Sequence, residues 1–237
     1  MSDEGLANYF TRRNREAAAR LWAELLRLAL AAGSASATPQ LFCLADRSAV
    51  AVMQRWPDDR NDWHRGVALR RLAKVVPFGK WRALREALLA LDKQKAAFYA
   101  AHGPFYYLTA LATAPAFRRA GLGAVLLDHL CRLAEQQQLP VYVEATSDAS
   151  RRWLRGMGFG EVMRHSVREH APEICIMVRR PGAAQAQAAA AASQKPQARA
   201  NGSTVRRSGS SAGEGGGQQG GAPPRPSPRP VGSVRSL

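Results

Sequence analysis

Apolar side chains recur along this chain in two periods, one helical and one alternating, and the order of the two predicts its elements. From Asn8 to Ala32, Ala17, Ala18, Leu21, Leu25 and Leu28 fall on one side while Arg15, Arg20 and Arg27 surround it. That is the stripe of an amphipathic helix. Gly33 to Pro39 breaks the pattern. Gln40 to Trp56 then holds two apolar runs around the short polar turn Asp46-Arg-Ser48, which predicts a β-hairpin. Pro57 to Asp62 is polar, and its carboxylates, with only His64 near in sequence, read as a solvated loop and not a metal site. Val67, Leu69, Leu72 and Val75 suit a helix that ends near Pro77-Phe-Gly79; Trp81, Leu84, Leu88 and Leu91 suit a second, running on to Phe98 and Tyr99. Residues 105–113 are aromatic and apolar, as in a buried strand. A helix over 118–138, a strand over 140–146, a helix over 148–157 and strands over 159–166 and 173–179 complete the order. Strands and helices alternate in the middle with a hairpin at each end. The expected fold class is α/β, a mixed twisted sheet with helices on both faces.

After Pro181 both periods vanish. Residues 181–237 contain no Phe, Trp or Tyr, and Ala, Gln, Gly, Ser and Pro dominate. Such a segment buries too little apolar surface to offset its ordering entropy. The expected organisation is one folded domain over 1–180, with a helical insertion over 60–101 inside it, and a disordered low-complexity basic tail over 181–237. Within the tail, Pro223 to Pro230 could offer an extended polyproline helix to an SH3-like partner, or serve as a linker with no partner.

Charge narrows the partners. The tail carries seven cations against Glu214, so +6 of the formal +16 lies there and +10 on residues 1–180. A basic surface suits a polyanionic cofactor. Nucleic acid suits the charge too, but no aromatic residues interleave with the basic tail, so that class ranks behind. Cys43, Cys131 and Cys175 are widely spaced and in no metal pattern, which predicts buried reduced thiols. No apolar run approaches the ~20 residues of a membrane span. A cytoplasmic location is expected; an Arg-rich presequence for organellar import is the alternative, and Glu16 and Glu24 count against it.

The candidate chemistry lies between strand 105–113 and the helix after it. Arg118-Arg-Ala-Gly-Leu-Gly-Ala124 places two glycines where a helix begins, and Leu122, Leu126, Leu130 and Leu133 continue as its apolar stripe. Glycines permit a tight turn and close backbone approach, and the first N–H groups of a helix lack internal acceptors at the positive end of its dipole. This describes a pyrophosphate cradle. A Walker loop is excluded, because Ala124 and Val125 follow Gly123, and a dinucleotide fingerprint needs a small residue where Leu126 stands.

The stretch Arg118-x-x-Gly-x-Gly123 resembles the acetyl-CoA-binding motif of the GNAT superfamily of N-acetyltransferases. Pro140 to Thr146 looks like that family's next strand, Ser150 to Phe159 like its next helix and Gly-Phe turn, and Ile174 to Arg180 like its last strand. The resemblance runs from Phe105 to Arg180 and loosely back to Leu41. It implies a GNAT acyl-CoA N-acyltransferase fold, with acetyl-CoA as co-substrate, an amine acceptor and no metal. The backbone of Arg118, Arg119, Ala120, Gly121, Leu122, Gly123 and Ala124 would meet phosphate, with Arg118 or Arg119 adding a charge. Leu111, Ala112 and Thr113 would pair with pantetheine. It also implies that the 60–101 helices border the acceptor groove.

Glu144 is the candidate catalytic base. A carboxylate among Tyr142, Val143 and Ala145 is costly without a partner or a task, and Glu144 matches the Glu of one branch of the superfamily. Pairing with a nearby Arg is the alternative account. Where many members place a Tyr four to five residues before Gly-Phe this chain has Leu154, and the Asn that often precedes falls at Ser147 or Ser150. Leucine cannot donate a proton. Two functions therefore stand: an N-acetyltransferase acting on a primary amine of a small molecule or protein, or a non-catalytic GNAT-fold module that binds CoA or a partner.

Overall fold

The Asn14 side chain accepts a hydrogen bond from the Ala17 N–H at 3.0 Å, an N-cap that starts the first long helix. The computed structural model describes residues 9–12, 14–32, 41–58, 66–166, 172–182 and 234–236. Helix α1 spans Arg15–Ala32. It begins later than the apolar pattern suggests because Arg12, at φ 52°, leaves the helical region after Phe10. Strands β1 (Leu41–Leu44) and β2 (Ala49–Trp56) form the expected hairpin. In its turn the Asp46 carboxylate accepts from the Ser48 hydroxyl at 2.6 Å and the Ser48 N–H at 2.9 Å. Those bonds hold its pKa below the usual carboxylate value.

Helices α2 (Gly66–Ala73) and α3 (Phe78–His102) divide at Pro77, as the sequence predicts. Strand β3 is Phe105–Thr113, followed by a 3₁₀ turn at Pro115–Phe117 and α4 at Leu122–Gln136. The helix is shorter than 118–138, since Arg119, Gly121 and Gln138 all have positive φ. Then come β4 (Val141–Ala145), α5 (Asp148–Gly156), β5 (Gly160–Ser166), β6 (Glu173–Arg179) and β7 (Val234–Ser236).

The sheet runs β5-β6-β4-β3-β2-β1-β7. Pair β3–β4 is parallel and the other described pairs are antiparallel. Strand β7 lies antiparallel to β1, Leu44 facing Val234 and Phe42 facing Ser236. Three residues of the 181–237 segment thus pair in the sheet, which the reading of that segment as tail throughout did not foresee. Residues 183–233 lie outside the described residues, and with them the rest of the expected tail and its Pro-rich stretch. Outer strand β5 is mostly exposed and polar, and Glu161 pairs across it with Arg155 and Arg164. Charge of this kind protects an edge.

Strand alternation divides the side chains between two faces. Tyr106, Leu108, Val141, Val143, Cys175 and Met177 join Leu126, Leu127 and Leu130 of α4 in one cluster. Phe105, Tyr107, Tyr142, Ile176 and Val178 join Trp56 of β2 and Phe98 of α3 on the other. Beside this second face, α1, α2 and α3 pack through Leu21, Leu72, Val76, Leu84 and Leu88. The basic helix α1 therefore packs inward on the fold. Cys43, Cys131 and Cys175 are buried and free, as the sequence predicts. Among the described residues no helix is long and apolar enough to cross a membrane.

Candidate active site

The two central strands part company halfway along. Strand β3 pairs with β4 at Tyr106, Tyr107 and Leu108, opposite Val141, Tyr142 and Val143. Beyond Leu108 it stays with β2 as far as Thr113, opposite Ala49. Strand β4 meanwhile continues through Glu144 and Ala145 against β6. The result is a fork. Its origin is a bulge: Met53 faces Leu108 and Val52 faces Ala110, which leaves Thr109 as the extra residue. Gln54 secures it, accepting from the Thr109 hydroxyl at 2.8 Å and donating to the Ala29 carbonyl of α1 at 3.1 Å.

Leu111, Ala112 and Thr113 lie on the β3 side of this fork and use β2 for pairing. The chain then passes through Arg118, Arg119 and Ala120, all exposed, to Gly121 at φ 79°. Glycine meets that conformation without a Cβ penalty. Gly121 is the N-cap of α4 and no side chain caps the helix. Ala124 and Val125 donate back to the Gly121 carbonyl at 3.0 and 3.1 Å, so Ala124 is engaged within the helix and is not a free donor of the cradle. The N–H groups of Arg119, Ala120, Gly121, Leu122 and Gly123 have no acceptor among the described residues. Gly123 matters for closeness: a Cβ there would lie 3.2 Å from Thr113 Oγ1. Bare amides at the positive end of a helix dipole can receive an anion.

On the face of the fork turned towards α3, Glu144 Oε2 accepts from the Tyr107 hydroxyl at 2.9 Å. Its Oε1 is buried without a hydrogen-bond partner. Lys95 Nζ stands 3.7 Å from that oxygen and 3.1 Å from Asp92 Oδ1, and 4.5 Å from the centre of the Tyr107 ring. Burial first, then the neighbouring Glu144 charge, pushes the Tyr107 hydroxyl well above its ordinary pKa. Tyr107 therefore stays a proton donor to Glu144. The partner of Glu144 is a lysine and a tyrosine, where sequence reasoning offered an arginine. Asp92, Lys95 and Tyr107 escaped the sequence reading. A signal for two of them exists: Asp92 and Lys95 continue the buried stripe of Leu88, Leu91 and Phe98, where a charged residue is out of place.

A groove partly open to solvent leads from α1 and α3 to Tyr107, Thr109 and Glu144. The α3 helix from the predicted 60–101 segment forms one of its walls. Leu154 lies away from it, buried in the α4-side cluster. Its carbonyl accepts from Met157 and Phe159, closing the Gly-Phe turn in which Gly158 has φ 89°. Ser147 and Ser150 form a capping box at the start of α5 and are occupied there. Among the described residues, no three His, Cys, Asp or Glu side chains are grouped to hold a metal.

A mixed sheet forked at its parallel pair, with a glycine-bounded helix at the open end, is the architecture of an acyl-CoA N-acyltransferase. Residues 57–159 match the Acetyltransferase (GNAT) family model. No protein of curated function matches it. Among solved structures it is similar to an arylalkylamine N-acetyltransferase 2 from Aedes aegypti (13% identity, 75% of this chain, 87% of that one, TM-score 0.47). It is similar also to a histone acetyltransferase HPA2 and related acetyltransferase from Corynebacterium glutamicum (18%, 75% and 86%, 0.44). A third is the ribosomal-protein-S18-alanine N-acetyltransferase of Escherichia coli (24%, 32% and 54%, 0.30), of which the chain spans about half. These are likenesses in outline.

Proposed function

We propose that this protein transfers an acetyl group from acetyl-CoA to a primary amine, of a small molecule or of a protein. One observation carries the reading: the fork brings a bare helix N-terminus at one end and a carboxylate oxygen without a hydrogen bond at the other. Acetyl-CoA supplies an activated thioester. In this reading the N–H groups of Arg119 to Gly123 receive its pyrophosphate, with Arg118 and Arg119 adding charge. The unpaired side of Leu111, Ala112 and Thr113 receives pantetheine, and a backbone N–H there polarises the thioester oxygen. Ala124 contributes as the first turn of the helix and not as a donor.

Glu144 takes the proton that turns the acceptor's ammonium into an amine. A C–N bond forms as the C–S bond breaks. Two protons leave the nitrogen in all; one ends on the thiol and the other in solvent. The balance closes without a tyrosine at position 154. The helical segment within 60–101 is the wall that selects the acceptor, and 1–180 is the unit that holds the site.

The buried Leu154 favours a second reading, a GNAT-fold module that binds acetyl-CoA and transfers nothing. Incubation with isotope-labelled acetyl-CoA and a panel of amines, followed by mass spectrometry, separates the two. Labelled product supports the transferase. Calorimetric binding of acetyl-CoA with no product from any amine supports the module.

A further inference from the structure

Strands β5 and β1 are the outermost that residues 41–179 contribute to the sheet, one on each side, and they are built differently. Strand β5 meets β6 through a register shift between Glu161 and Met163, and its Arg164 pairs with Glu161 and Glu173. A bulge and a row of charge are two of the devices that keep an edge from pairing with another molecule. Strand β1 has neither. Its sequence is Leu41-Phe-Cys-Leu44, without charge or proline, and Phe42, Cys43 and Leu44 are buried. It pairs with β2 in plain register, Leu41 opposite Val52 and Cys43 opposite Val50. That spends one side of its backbone. The other side is a row of N–H and C=O groups that invites a further strand.

The chain fills that row itself. Val234 lies opposite Leu44, Arg235 opposite Cys43 and Ser236 opposite Phe42. Between Gly182 and Val234 the only large aliphatic residues are Val205 and Val231, and Pro223 to Pro230 holds five prolines that cannot donate to a ladder. Strand-forming sequence is therefore scarce until the stretch that pairs. The sheet order sets β7 five strand spacings from β6, about 24 Å, well within the reach of residues 183–233.

We propose that β7 is a guard strand: by pairing with β1 it closes an edge that would otherwise pair, antiparallel and two-fold, with the β1 edge of a second copy of this chain. Such a pairing is isologous, because the same edge serves on both molecules. The guard is separate from the acetyl-transfer reading, whose residues lie on β3, β4 and α4. It gives a task to three residues of a segment that by sequence looked dispensable.

The test uses the full-length protein and a variant carrying Val234→Pro, Arg235→Pro and Ser236→Pro, which removes every backbone donor of β7. Hydrogen exchange read by mass spectrometry over residues 41–44 reports cover, sedimentation over a concentration series reports mass, and calorimetry with acetyl-CoA checks the site. The wild-type chain should keep a single mass. In the variant the 41–44 amides that do not bond β2 should exchange about tenfold faster or more. Its mass should climb with concentration towards twice that of the chain, while acetyl-CoA affinity holds. Adding Leu41→Lys to the variant puts charge on the bare edge and should return it to a single mass with exchange still fast. Unchanged exchange in the variant overturns the inference, as does fast exchange with no gain in mass. Association that Leu41→Lys leaves intact overturns β1 as the surface involved. A wild-type dimer that the three prolines dissolve would mean β7 is traded between copies, which overturns closure within one chain. The wild type also tests the cover alone: if no 41–44 amide beyond those bonded to β2 exchanges more slowly than the outward amides of β5, β7 guards nothing.

Discussion

The two faces of the sheet are made from alternate residues of the same strands, yet they do different work. Towards α4 the strands present Leu108, Val141, Val143 and Met177 to a leucine-lined helix. The buried charge nearest that side, Arg179, is paired with Glu135 at 3.1 Å and bonded to the Met157 carbonyl at 3.2 Å. Towards α3 the same strands present Tyr107, Tyr142 and Glu144, which meet Lys95 and Asp92. On the α4 face the terminal nitrogens of Arg179 are engaged and only its Nε is left without a hydrogen-bond partner. The other keeps the Glu144 oxygen unsatisfied beside a groove. A buried carboxylate oxygen without a donor is costly, and among the described residues only this one of the two faces sets such an oxygen beside a groove.

Four substitutions and one labelling experiment sharpen that contrast. Glu144→Gln keeps the shape and removes the proton acceptor of the α3 face; turnover should fall by ~10²–10⁴ while calorimetric acetyl-CoA affinity holds. Unchanged turnover would remove Glu144 from the mechanism. Leu130→Ala empties part of the α4 face, where Leu130 is fully buried, and should cost ~2–5 kcal/mol in urea unfolding. KM for either substrate should not move in the folded fraction. A changed KM with intact stability would blur the distinction between the faces.

Gly123→Val puts side-chain carbons where Thr113 Oγ1 lies 3.2 Å from a built Cβ. Losing two charge-assisted bonds at ~1.5–3 kcal/mol each should weaken acetyl-CoA by roughly a hundredfold. Unaltered affinity in a folded variant would rule out close phosphate approach at this glycine. Leu154→Tyr would restore the residue many family members carry. Leu154 sits in the α4-side cluster at 3% exposure, so a larger, polar ring should overpack it. The expected result is ~1–3 kcal/mol of lost stability and no gain in turnover, read by melting and steady-state rates. The smallest effect is on Cys131, whose thiol burial pushes up to about 12. It stays protonated at pH 8, and iodoacetamide should leave it unlabelled in the native protein and label it after denaturation.

Much of this protein was decided by local pattern. The stripe Leu122, Leu126, Leu130 predicted α4, and the apolar run from Phe105 predicted β3 with the bounds observed. Those signals are legible because side-chain periodicity and glycine conformation act over a few residues. Glu144 could be singled out for the same reason, as a carboxylate in an apolar strand. What it meets could not. The fork depends on Thr109 being extruded against Val52 and Met53, residues more than fifty positions away in the chain. The partnership of Glu144 with Lys95 and Tyr107 depends on α3 packing against β3 and β4. Leu154 stands at the motif's Tyr position in sequence, while packing in the α4-side cluster turns its side chain into the core. The start of α1 and the pairing of β7 with β1 were likewise set by contacts the chain makes after it folds. Periodicity records which side of an element is apolar; only the packed structure decides what stands opposite it, because that depends on residues far apart in sequence.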